Sequence, residues 1–261
     1  MSYRTFLQRV LAPLGLGGGI THPVDAYAWS QFCDKVPLLQ QLSSSRQEKL
    51  YQLAMEFLQQ KRIIPAHGYQ VEEEMKLLIA SLACIPLLGR GMALYRNWLS
   101  VIIYPQEFVV HQEITDDAGV VHEVDDPLCG ESWYRGPVIL SWADVERSAQ
   151  HLDGYNVVIH EMAHQIDMLS GDADGMVPLP PGLATQEWQQ CLEDALQHHR
   201  RRIEKGKKVI LDEYASESLP EFFAVISEHF FECPQDIEVV YPELYRLLVA
   251  VYGWNPSASC Q

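Results

Sequence analysis

The stretch Val157-Val158-Ile159-His160-Glu161-Met162-Ala163-His164-Gln165-Ile166-Asp167 constrains this chain more than any other part of it. Its apolar residues recur at helical spacing. Gly154 to Asn156 breaks the chain before it and Gly171 stands just past its end, which predicts a helix over 157–169. On such a helix His160 and His164 lie one turn apart on one face, so two imidazoles can grip one ion from a rigid element. Glu161 is rotated toward the side where an activated water would sit and is the candidate general base. Zinc is the expected ion, one per chain, because it lowers the pKa of a bound water to about 7 and polarises a carbonyl.

Two histidines need a third partner. A metzincin-type site would place a His six residues after the second, and that position is Ser170. A Glu from a later helix is the alternative, and a helix predicted over 219–232 offers Glu221, Glu228 and Glu232. Glu221 has a competing explanation, since Ser218-Leu219-Pro220-Glu221 is also a capping box. Seven residues place Glu221 and Glu228 on one face, so spacing leaves the choice between them open. Asp167 shares the face of both histidines at the unfavourable end of the helix dipole. A hydrogen bond from a ligand imidazole would account for a carboxylate there, as an outer partner of the metal.

The rest of the chain reads as α+β. Leu50, Leu53, Ala54, Phe57 and Leu58 form one helical stripe over 46–62, and a second helix covers 72–85. Val101 to Val110 and Pro137 to Trp142 are β-branched and aromatic-rich, as strands are, with a polar hairpin or loop over 111–135 between them. Short helical structure follows at 144–150, and a long amphipathic helix at 185–204 carries His198, His199, Arg200, Arg201 and Arg202 as a solvated face. Residues 1–25 read as a flexible extension, 26–100 as a helical part packed on the core, and 101–261 as the catalytic domain.

Composition narrows the function classes. A net charge of −16, from 19 basic and 35 acidic side chains, repels a phosphate backbone and argues against nucleic acid. Cysteines 33, 84, 129, 191, 233 and 260 are scattered without a C-x-x-C pair, which favours idle thiols over disulfides. The N-terminal apolar stretch is broken by Pro13 and glycines and lacks a cleavage site, so a cytoplasmic location is expected. The most apolar run, Leu77 to Gly89, contains Pro86 and is too short to span a bilayer.

Glu221-Phe222-Phe223-Ala224 after Tyr214, together with the HEMAH helix, resembles the gluzincin-like group that contains anthrax lethal factor. More closely, the chain resembles the bacterial Mlc titration factor A family over roughly residues 30–255. FLQQKR (57–62), VIIYPQEFVV (101–110), GPVILSW (136–142), GYNVVIHEMAHQIDM (154–168), GDADG (171–175) and EYASESLPEFFAVISEHFF (213–231) carry the likeness. The resemblance implies a zincin-like metallopeptidase fold, mainly helical, with a small mixed sheet beside the active-site helix. It implies Glu221 as the third ligand, Ala224 as the small residue that lets the two metal helices approach, and Tyr214 as the oxyanion donor, which a tetrahedral intermediate requires. It further implies an aminopeptidase-like activity on peptide or protein substrates and binding of the transcription repressor Mlc in sugar-uptake regulation. A regulatory protein that sequesters the repressor without catalysis is the alternative. By analogy with zincin architecture, residues 136–142 are the expected sheet edge for an added substrate strand.

Overall fold

The computed structural model describes residues 25–259 except 67, 107, 116–120, 129 and 133–136. The predicted flexible extension up to residue 24, Cys129 and Cys260 therefore fall outside the described residues, while Asp25, read as part of that extension, belongs to the first helix as its cap. Helix α1 (Ala26–Cys33) opens on Asp25, whose carboxylate accepts from the Ala28 N–H at 2.8 Å. The short helix α2 (Pro37–Gln40) leads to α3 (Ser44–Gln60), which buries the predicted stripe of Leu50, Leu53, Ala54 and Phe57. Lys61 follows at the end of α3. It is buried, donates to the carbonyls of Tyr95 and Trp98, and lies 4.1 Å from the Trp98 ring centroid. Burial pushes its ammonium down to about 8, so this staple carries a cost that the carbonyls and the ring offset.

Strand β1 (Arg62–Pro65) was not visible in the sequence pattern, since it holds only two isoleucines between an arginine and a proline. It pairs in parallel with β2 (Ser100–Tyr104). Between them, α4 (Glu73–Cys84) continues into a 3-10 turn at Ile85–Leu87, and residues 77–88 are buried throughout. No helix among the described residues is long and apolar enough to cross a membrane.

The single strand expected over 101–110 is two. The chain breaks after Tyr104, and β3 (Phe108–Thr115) forms an antiparallel hairpin of its own with β4 (Val121–Leu128). Pro105 explains the break, because it has no N–H to extend the ladder. The short strand β5 (Gly130–Ser132) then pairs antiparallel with β6 (Val138–Ser141), which pairs in parallel with β2. The sheet order is β1-β2-β6-β5. The strand expected at the edge, 136–142, is therefore interior from Val138 onward. Its outer side is taken by Gly130–Ser132, with Gly130 opposite Leu140.

Helices complete the fold. Short α5 (Trp142–Ser148) precedes α6 (Val157–Asp167), capped by Asn156 Oδ1 on the Ile159 N–H at 3.1 Å. Long α7 (Thr185–Glu204) is followed by a 3-10 turn at Glu213–Ser216 and by α8 (Leu219–Glu232). Helices α9 (Pro234–Val240) and α10 (Pro242–Tyr252) close the chain, α10 ending on Gly253 in the left-handed region. The expected solvated face of α7 is only partly so. His199 is fully buried, and Arg200 donates to the carbonyls of Ser216 at 2.8 Å and Glu217 at 3.0 Å.

One hydrophobic core runs through both the helical and the sheet-bearing parts. Its far side is an aromatic stack: Phe223 and Phe230 lie on Tyr252, and Phe231 stacks on Trp254 with centroids 5.5 Å apart. Truncating Phe223 or Phe230 to Ala would cost about 3–5 kcal/mol each. Their role is to fix α8 against the tail helices, which leaves the opposite face of α8 for α6.

Candidate metal centre

Helices α6 and α8 pack against each other, and Ala224 of α8 is fully buried. Facing side chains bring three lone-pair atoms together. His160 Nε2 lies 3.2 Å from His164 Nε2, and Glu221 Oε2 lies 3.2 Å from the first and 3.4 Å from the second. Ser218 Oγ caps the Glu221 N–H at 3.3 Å, so the capping role falls on Ser218 and the Glu221 carboxylate turns to the imidazoles.

The donor set fits a divalent ion. A tetrahedral ion with bonds of about 2.0–2.1 Å would hold neighbouring donors about 3.3–3.4 Å apart, close to the separations seen. His160 Nδ1 lies 2.7 Å from Glu228 Oε1, and a carboxylate there holds the ring proton on Nδ1. Nε2 is then left as a bare lone pair facing Glu221. Glu221 Oε2 is buried and finds no hydrogen-bond partner. Buried acceptors facing one another are unfavourable unless a cation or protons lie between them. Burial disfavours a charged His160, but the charge of Glu228 and the close approach of the Glu221 and Glu228 carboxylates outweigh it and raise its pKa well above the ordinary range. Burial likewise raises Glu221, and the adjacent imidazoles of His160 and His164 overcome it and hold this carboxyl well below the usual range.

Glu228 is the residue whose role spacing left open. It is buried behind His160, where its other oxygen accepts the Asn156 N–H at 2.5 Å. Asn156 in turn donates through Nδ2 to Glu232 Oε1 at 2.9 Å, and Glu232 Oε2 accepts the Gly154 N–H at 3.0 Å. A row of carboxylates down α8 thus holds the loop that starts α6. Burial pushes Glu232 up to about 8 despite its two donors. Asn156 did not stand out as a site residue in the sequence, and Glu232 did so only as one of three candidate third ligands on the 219–232 helix, not as the anchor of this loop.

Asp167 differs from expectation. Its Oδ2 accepts the Gly175 N–H at 2.9 Å, and Oδ1 is buried without a hydrogen bond. The imidazole hydrogen bond expected of it belongs to Glu228, and Asp167 instead fastens the Gly171–Gly175 turn to the end of α6. Burial raises its pKa to about 6.

Glu161 is buried and lines a cavity of about 550 Å³ together with His160 and Tyr214. The Tyr214 ring is 6.2 Å from the His160 ring between centroids. Burial first, then the charges of Glu221, Glu217 and Glu161, push its hydroxyl upward, so it stays a proton donor at neutral pH. The turn that carries it is fixed by Asp212, which accepts the Tyr214 N–H at 2.8 Å, and by Arg200 on the Ser216 and Glu217 carbonyls.

A small mixed sheet beside a helix bearing His-Glu-x-x-His, crossed by a second helix bearing Glu, is a zincin-like metallopeptidase fold. The chain belongs to the glucose-regulated metallo-peptidase family M90, whose model matches residues 20–253. Among its relatives is the Mlc titration factor A of Escherichia fergusonii, 36% identical over 223 residues, which are 85% of this chain and 84% of that protein. The protein of the same name from Cronobacter sakazakii is 37% identical over 223 residues, with the same coverage of both chains.

Proposed function

We propose that the chain is a zinc-dependent peptidase of aminopeptidase-like activity, acting in the cytoplasm, with one zinc held by His160, His164 and Glu221. The convergence of those three donors at 3.2–3.4 Å, with Glu161 on the wall of the adjoining cavity, carries the reading. Zinc would supply a Lewis acid that lowers the pKa of a water to about 7 and polarises the scissile carbonyl. Glu161 takes the proton from the attacking water and passes it to the leaving amine. Tyr214 donates its hydroxyl to the oxyanion that develops on the carbonyl. Glu228 keeps the His160 proton on Nδ1 and so holds Nε2 ready for a metal. The substrate adds as a strand along β5, the one of the sheet's two outer strands that runs beside α6. Metal analysis with turnover of fluorogenic aminoacyl and peptide substrates, with and without a chelator, tests the reading. Chelator-resistant turnover, or none by the zinc-loaded protein, would overturn it.

The relatives' name favours a second reading that can coexist with the first, namely binding of the transcription repressor Mlc. Sequestration without catalysis predicts that Glu161→Gln binds the repressor as the wild type does. Loss of repressor binding in that variant would set this reading aside.

A further inference from the structure

A second group of ligand side chains lies on the same helix as Glu221, at its other end. His229 is in the last turn of α8, Cys233 is the residue between α8 and α9, and Asp236 is in the first turn of α9. One donor atom from each lies within 4.8 Å of the other two. We propose that His229, Cys233 and Asp236 form a second metal site, which takes a zinc-class divalent ion through one nitrogen, one sulfur and one oxygen.

The histidine is held in place before any ion arrives. His229 is only 5% exposed, and the loop ahead of α6 lies against its ring at Gly154. Gly154 has φ +86°, and a Cβ there would fall 2.0 Å from His229 Nδ1. This loop is itself fixed by the bond from the Gly154 N–H to Glu232. Nε2 is the nitrogen turned to the other ligands, at 3.4 Å from Asp236 Oδ2. Among the described residues that long contact to Asp236 is the hydrogen bond recorded for this imidazole, so its bonding capacity is only weakly used. Asp236 is 60% exposed on its side chain and is free to close on an ion.

The donor chemistry selects the cation. A thiolate and an imidazole suit zinc or a similar transition metal, whereas calcium and magnesium take oxygen donors. Burial, with the charges of Glu232, Asp236 and Asp153, raises the Cys233 thiol to about 11. The same carboxylates attract a cation, and an ion that displaces the thiol proton gives the half-buried sulfur a counter-charge. Three protein ligands leave one position for water. Such an ion would clip the end of α8 to the start of α9, next to the Glu232 that anchors Gly154 and Asn156.

Sulfur makes the test independent of the proposed peptidase site, whose ligands contain none. The full-length protein is stripped of metal and titrated with cobalt(II), and sulfur-to-cobalt charge-transfer absorption is followed in the near ultraviolet. The band is expected in the wild type and in Glu221→Ala, and absent in Cys233→Ala. Asp236→Ala, a substitution at an exposed position, is expected to weaken cobalt binding at this band about tenfold or more. Zinc per chain should fall by about one ion in Cys233→Ala relative to the wild type. No band in the wild type at saturating cobalt, a band that survives Cys233→Ala, or unchanged affinity in Asp236→Ala would each overturn the site.

Discussion

His160 Nδ1 and Glu228 Oε1 lie 2.7 Å apart, so the imidazole that faces Glu221 on one edge is held by a buried carboxylate on the other. Outer partners of this kind orient a ligand and raise its basicity. Glu228→Gln turns an amide N–H₂ toward either His160 or the Asn156 N–H, each of which needs an acceptor. Metal affinity is expected to fall about 10–100-fold while the fold is kept. Competition with a chromogenic chelator measures this, and an unchanged affinity would remove Glu228 from the site.

Glu161→Gln keeps the shape of the cavity wall and removes the base. Zinc content should be unchanged, and kcat should fall by about 10²–10⁴-fold. Full activity in this variant would sink the proposed mechanism.

Tyr214→Phe removes one hydroxyl from a turn held by Asp212 and Arg200. The expected loss is about 10²–10³-fold in kcat, with metal content and KM little altered. A wild-type kcat would reduce Tyr214 to a packing residue.

Gly154→Ala places a Cβ against the His229 ring at a left-handed position. Unfolding stability is expected to drop by about 1–3 kcal/mol, since the backbone is strained and the ring must shift. Thermal or urea melts of the metal-free protein check it; an unchanged midpoint would mean that the loop yields freely.

How much of this was legible depends on what each residue's neighbours are in the chain. His160 and His164 share a local helix, and the helical period alone sets them on one face. The span 219–232 was equally readable, with Ser218 and Pro220 marking its start. Spacing could not separate the roles of Glu221 and Glu228, because both lie on the face that meets α6, and only the family likeness favoured Glu221. They differ by two turns, about 10 Å along the axis. Only the crossing of α6 and α8 puts the first at Nε2 of the histidines and the second at Nδ1 of His160. Asp167 misled for a related reason, since its periodicity was right but the turn at Gly175 supplied the donor. The sheet edge was hidden too. Val138–Ser141 has the composition of a strand, but composition cannot say that Gly130–Ser132 covers its outer side. His199 and Arg200 were read by charge and helical face, while the turn they pack beneath comes from later in the chain.

The crossing of α6 and α8 also sets when the centre can exist. His160 and His164 emerge from the ribosome well before Glu221, and the carboxylate that steadies His160 comes later still. A growing chain that holds α6 alone carries two imidazoles and no carboxylate to meet them. The full set of three donors is thereby tied to the synthesis of α8, and a nascent chain that stops short of Glu221 cannot assemble it.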